Sequence, residues 1–319
     1  MVHLGTSWVA PAAVAWALVA AIWLIFSWRE PRGRAWHQVL AVLPLFAFVL
    51  ALWGPEPLAG VAALWVLIGG GILVALAVAW LWGTLIRNHG AMDIVYPLTA
   101  FAGVCLGAWA VGFDFWILLA LAPMAVWSLR LAVQTFGHNI GSEREPYASW
   151  RKRFGAKWLW WSAFQIHLLQ GVTVWIWCAP FAFALAAPEP RPLWPLVLGA
   201  AIWFAGFALQ AAADQQLAAF KRDPANRGKL LDTGVWSFVR HPNYLGEAVM
   251  WWGFAAFALA HPLGGLSLFG PAYATWFMGY ASAAPYKERH MSKTRPEAWA
   301  EYSRRTPRFF PWPRPKQGT

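Results

Sequence analysis

Between residues 234 and 247 the chain reads Gly234-Val235-Trp236-Ser237-Phe238-Val239-Arg240-His241-Pro242-Asn243-Tyr244-Leu245-Gly246-Glu247. Arg240 offers a permanent planar cation suited to phosphate or carboxylate. His241 can donate or accept a proton near neutral pH. Pro242 is tolerated at the first position of a helix, where its missing N–H has no partner to lose. Asn243 and Tyr244 add hydrogen-bonding groups, Gly246 lets a backbone approach closely, and Glu247 falls one turn into the apolar helix that follows. An acid in that position is costly unless it faces a polar cavity, so it is a functional candidate by default. The bland alternative is an interfacial Arg/Tyr anchor with a capping acid.

Upstream, Gln210 and Asp214 lie one turn apart on one helical face, about 6 Å between Cβ atoms. Asp214 could accept from an amide or a ribose hydroxyl, or simply end a helix in water. Arg130 closes an otherwise apolar run, where it either snorkels to the interface or holds a phosphate. The tail carries Arg304, Arg305 and Arg308 among prolines and aromatics, a pattern for a segment folded back on the protein or onto headgroups. His138, His167 and His241 show no ligand spacing, so no metal is expected. No dinucleotide-binding glycine fingerprint is present. Gly69-Gly70-Gly71 sits inside an apolar run and reads as a helix-packing or bending site.

The elements that position these groups are transmembrane helices. Of 319 residues, 59% are hydrophobic and only 12% charged, against about 25% charged in soluble domains. Leu58–Ile86 is free of ionisable side chains, longer than the roughly 20 residues needed to cross a bilayer. In hydrocarbon such a run must be helical. Nine apolar runs are candidates, 8–28, 39–53, 58–86, 94–113, 115–129, 158–187, 193–213, 245–260 and 266–286, of which 39–53, 115–129 and 245–260 are short. With nine spans, alternate loops and the tail hold 24 of the 25 basic residues, and only Arg191 lies opposite. That bias puts the N-terminus outside and the C-terminus in the cytoplasm. The net charge of +11 is then topogenic, facing anionic membrane lipids; no nucleic-acid partner is expected. Cys105 and Cys178 lie in apolar runs and imply no disulfide framework. The tryptophans near span ends (Trp28, Trp53, Trp158, Trp160, Trp161) suit the headgroup level.

These residues carry a resemblance. The chain resembles the bacterial branch of the steroid 5-alpha-reductase family, whose C-terminal domain is shared more distantly with sterol reductases. The matching features are Asp93 after the Arg87–Gly90 turn, Trp127 with Arg130, and Phe164 to Gly171. Further along come Ala213, Asp214 and Gln216 with Phe220 and Lys221, then Pro224 to Lys229, the Arg240–Glu247 block, and the tail from Tyr302 to Pro311. The resemblance implies a seven-span core over 58–319, preceded by a two-span extension, 1–57, in a bacterial inner membrane. It implies NADPH-dependent reduction of a C=C bond conjugated to a carbonyl, in a lipophilic steroid-, isoprenoid- or acyl-like substrate entering from the bilayer. It assigns NADP(H) binding to Arg130, Asp214, Lys229, Asn243 and Glu247, with Gln210, Arg240, His241, Tyr244, Arg304 and Arg308 beside them. The family's ketone-polarising glutamate and tyrosine fall at Val95 and Trp127, which cannot do that work. Tyr96 and Asp93 are the neighbouring substitutes for proton donation. A membrane methyltransferase resembling isoprenylcysteine carboxyl methyltransferase, using S-adenosylmethionine, also carries an Arg-His-Pro block at a helix mouth and is the rival reading.

Overall fold

A computed structural model describes residues 5–27 and 34–311. Trp28, Arg29, Arg32, Arg314 and Lys316, which entered the sequence argument, lie outside the described residues. Every regular element described is helical. The first are α1 (Val9–Ser27), α2 (Arg34–Trp53), α3 (Leu58–Leu85), α4 (Met92–Val111) and α5 (Phe115–Asn139). The short α6 (Tyr147–Phe154) and α7 (Trp158–Ser162) follow, then a π-helical turn, Ala163–Leu168, and α8 (Leu169–Trp177) and α9 (Ala179–Ala186). The chain continues with α10 (Trp194–Arg222), α11 (Pro242–Ala258), α12 (Phe269–Trp276), α13 (Ala283–Thr294) and α14 (Pro296–Arg305).

Five of these helical stretches are long and apolar enough to cross a membrane: Thr6–Ser27, Leu58–Leu85, His89–Val111, Phe115–Gly137 and Trp194–Arg222. Tyr147–Trp177 with Ala179–Ala186, bent by 42°, makes six if it counts as one span. The protein is an integral membrane protein, but nine full-length spans are not what the structure gives. The run at 39–53 is helical but short, α11 has 17 residues, at the lower edge of what crosses hydrocarbon, and 266–286 is interrupted by a π turn and by Ser282. Conversely, the run at 115–129 is part of a longer helix, because α5 continues through Arg130 to Asn139.

Two compact units are distinguished, one of Met1–Pro192 with Ala258–Ser267 and one of Leu193–Phe257 with Leu268–Thr319. In the first, small residues let helices meet backbone to backbone. A Cβ on Gly103 would sit 2.7 Å from the Ile68 carbonyl oxygen, and one on Gly71 would sit 3.1 Å from the Gly103 Cα. Gly69 faces the Trp175 indole, and the glycine run is therefore a packing surface. Trp175 Nε1 donates to the Trp65 carbonyl at 2.6 Å, and Trp65 Nε1 returns a bond to the Trp175 carbonyl at 3.0 Å. In a dry core these reciprocal bonds satisfy groups that water cannot reach. Trp16 of α1 donates to the Ala41 carbonyl at 3.0 Å and meets Trp175 edge-on, tying the first two helices into this unit. Of the tryptophans read as interfacial, Trp53 and Trp160 are exposed whereas Trp158 is buried against His89.

A Cβ on Gly69 would fall 2.2 Å from Trp175 Cε2. Gly69→Ala must push that indole off its paired bonds and is expected to destabilise by about 1–3 kcal/mol. Thermal unfolding in detergent checks this, and an unchanged midpoint would show that the ring moves freely.

Candidate functional site

The chemistry-bearing block lies in the second unit, on two helices that touch without side chains between them. Gly199 and Gly206 on α10 face Gly246 and Gly253 on α11. A Cβ on Gly206 would sit 2.5 Å from the Gly246 carbonyl oxygen, and one on Gly246 would sit 2.6 Å from the Gln210 nitrogen. A Cβ on Gly253 would sit 2.7 Å from the Trp203 nitrogen, and one on Gly199 would sit 2.6 Å from the Gly253 carbonyl oxygen. Backbones this close place Gln210 beside Glu247, and Gln210 Nε2 donates to Glu247 Oε2 at 3.1 Å with both residues buried.

Pro242 is the first residue of α11, so Arg240 and His241 stand just outside the helix mouth. Arg240 Nε donates to Glu288 Oε1 at 2.8 Å, and one terminal nitrogen donates to the Ser303 and Thr306 carbonyls, each at 2.9 Å. Its backbone N–H donates to the Pro307 carbonyl at 2.9 Å, and its guanidinium lies 5.3 Å from the Trp299 ring. Arg240 thus clamps the tail onto the helix mouth. Glu288 also takes Arg308, Nε to Oε2 at 2.9 Å, and lies 3.3 Å from His241 Nε2. Burial alone would push the Glu288 carboxyl up, but the bonds from His241, Arg308 and Arg240 outweigh it and hold it at about 2. Burial also lowers the His241 imidazole, against the pull of Glu288.

Above this clamp opens a cavity of about 460 Å³. Lys221, Arg222, Arg227, Lys229, Lys287 and Arg295 contribute positive charge to its lining, against one carboxylate among the described residues, Asp223. Phe220, Trp236, Tyr244, Trp299 and Tyr302 add aromatic surface. The loop between α10 and α11 is fixed at several points. Asp223 accepts from the Ala225 N–H at 2.9 Å, Gly228 takes a φ of +83°, and Arg295 donates to the Gly228 carbonyl at 2.9 Å. Gly234, at φ +60°, packs against Gln216, whose Oε1 accepts from the Val235 N–H at 3.1 Å. Trp236 bonds the Ala213 carbonyl at 3.1 Å, and the Tyr302 hydroxyl bonds the Trp236 carbonyl at 2.6 Å. Asn243, also on the lining, has its Oδ1 buried with no hydrogen-bond partner among the described residues. A buried acceptor with no donor is uncommon in folded proteins and calls for an explanation.

Of the residues singled out in the sequence, the cavity gathers Lys229, Arg240, His241, Asn243 and Tyr244 on its lining. Gln210 and Glu247 pair behind them. Arg308 is held by Glu288, Asp214 is half-buried on α10, and Arg304 is exposed on the last turn of α14; none of these three lines the cavity. Arg130, Asp93 and Tyr96 belong to the first unit. Asp93 accepts from the Tyr147 hydroxyl at 2.9 Å and from Asn139 Nδ2 at 3.1 Å, while the Tyr96 ring meets Trp127 edge-on at 6.4 Å. Tyr147 was not a candidate in the sequence because nothing in its spacing ties it to Asp93. Glu288, Lys287, Arg295 and Trp299 were also missed. The signal for Glu288 was an acid set directly between two cations, Lys287 and Arg289.

The chain is 31% identical over 164 residues to the Delta(14)-sterol reductase LBR of Gallus gallus, a match covering 45% of this chain and 24% of that protein. It is 27% identical over 170 residues to the Delta(14)-sterol reductase TM7SF2 of Mus musculus, covering 47% of this chain and 39% of the relative. The chain therefore spans well under half the length of these two proteins. An uncharacterised protein of Schizosaccharomyces pombe is 24% identical over 72% of this chain and 75% of its own length. No solved structure matches. Residues 79–306 match the family described as a protein of unknown function, DUF1295, and the chain belongs to that family.

Proposed function

We propose that this protein is a membrane reductase that uses NADPH to saturate an activated C=C bond in a lipophilic substrate, as its resemblance to steroid 5-alpha-reductases implies. The distant similarity to Delta(14)-sterol reductases supports reduction of a flat, apolar molecule. The observation that carries the cofactor assignment is the cation-lined, aromatic-edged cavity around Asn243. Lys229 and the neighbouring cations would hold phosphates, Tyr244, Trp236 and Trp299 would offer ring faces, and the unpartnered Asn243 oxygen would take an amide or hydroxyl hydrogen. The bound nicotinamide would supply a hydride to the carbon β to a carbonyl. Developing charge on the carbonyl oxygen then calls for a protein acid. Asp93 and Tyr96 keep that role in this reading, with Tyr147 joined to Asp93. All nine apolar runs would lie in the bilayer, with the cavity and C-terminus cytoplasmic, and 58–319 would form the catalytic core behind the extension 1–57.

The charge pattern favours a polyanionic cofactor over S-adenosylmethionine, whose net positive charge such a lining repels. Thermal stability of the purified protein in detergent should rise with NADPH by RT ln(1 + [L]/Kd), about 2.7 kcal/mol at 100 Kd. Asn243→Ala should weaken that binding about tenfold, one hydrogen bond's worth. Stabilisation by S-adenosylmethionine alone, or an Asn243→Ala response equal to the parent's, would overturn the assignment.

A further inference from the structure

A second cavity, of about 190 Å³, lies in the first unit where α3 meets the π-helical turn Ala163–Leu168. Its walls are leucines, alanines and the rings of Trp80 and Phe164, with one titratable side chain among the described residues, His167. Phe164 stacks on Phe26 of α1 at 5.5 Å. His167 is only 3% exposed. Its Nδ1 lies 3.2 Å from the Ser162 carbonyl, and because a carbonyl only accepts, Nδ1 carries the proton. Nε2 therefore keeps its lone pair, and it is buried with no partner among the described residues.

The ring is held in place. Ser162 Oγ accepts from Trp80 Nε1 at 3.2 Å, and the His89 ring stands edge-on to His167 at 5.2 Å. A π turn widens the helix by one residue and recurs at functional sites. Trapped water is a poor occupant, since a buried water needs two to four polar partners and the Trp80 N–H is already taken up by Ser162. The lining wants hydrocarbon and His167 wants one donor.

We propose that this cavity binds a lipophilic alcohol, its chain against the leucines of α3 and its hydroxyl donating to His167 Nε2. Helix α3 is among those long and apolar enough to cross a bilayer, so the lipid phase supplies the ligand. The class excludes ethers and hydrocarbons, which lack the donor.

The test uses the full chain in detergent with no nucleotide present, which separates its outcome from that of the reductase reading. Thermal midpoints are followed against 1-octanol and its isomer 1-methoxyheptane, which has the same atoms and no O–H. Octanol should stabilise saturably and bind about tenfold more tightly than the ether. His167→Phe should abolish the difference between the isomers, and His167→Gln, which keeps an acceptor, should restore part of it. Ala77, exposed on the cavity rim, gives a variant independent of the histidine: Ala77→Phe should fill the space and remove the octanol response. No stabilisation by octanol, equal affinities for the isomers, or an octanol response surviving Ala77→Phe would each overturn the proposal.

Discussion

Glu288→Gln is expected to destabilise the protein by about 3–5 kcal/mol, the cost of leaving the buried Arg240 without its carboxylate partner. Glu288 and Arg240 are 8% and 7% exposed. Removing the carboxylate leaves Arg240 and Arg308 facing each other, with His241 beside them. The amide keeps the shape and can still accept one bond, so the loss measures charge rather than packing. Glu301→Gln, an exposed acid on α14, should shift stability by less than about 0.5 kcal/mol. The pH dependence has a definite sign. The Glu288 carboxyl is held at about 2 in the fold against an ordinary 4.5, so its contribution is complete above the ordinary value and drains away as the pH falls from 4.5 toward 2. That component should be missing from the Glu288→Gln curve. Equal denaturant midpoints for parent and variant would show that the clamp contributes nothing.

Gly206→Val should destabilise by about 3 kcal/mol, the top of the overpacking range. The atom its Cβ meets at 2.5 Å is the Gly246 carbonyl oxygen, and backbone cannot change rotamer to make room. α10 and α11 must separate, which pulls Gln210 from Glu247. Gly70, with nothing within 4 Å of a built Cβ, is the control: Gly70→Ala should be neutral or stabilise by up to about 1 kcal/mol through helix propensity. Thermal unfolding in detergent reads both, and a Gly206→Val midpoint matching the parent's would remove the seam from the account.

Much of this was legible in the sequence because it is local. Pro242 announced the start of α11, Gly246 a close backbone approach, and hydropathy the helices. The charge count argued for nine crossings, yet it cannot measure a helix: α11 stops at 17 residues, and α5 carries Arg130 within its length instead of ending there. What was hidden is long-range. Arg240 looked like a free cation for a ligand, but its partner Glu288 is 48 residues away and its other acceptors are backbone carbonyls of the tail. Such pairings leave no periodicity to read. The same holds for Asp93 and Tyr147, 54 residues apart, whereas Tyr96 attracted notice only by adjacency.

The glycine seam has a mechanical corollary. Two rods in contact through bare backbone cannot slide, since any shift along the axis swings a bulky neighbour such as Trp203 or Met250 into a space that excludes even a methyl group. The α10–α11 pair is therefore a fixed floor. On the proposed reading, a ligand of the chamber above it would pass the 223–231 loop and the turn between α13 and α14, which Arg295 ties together at the Gly228 carbonyl.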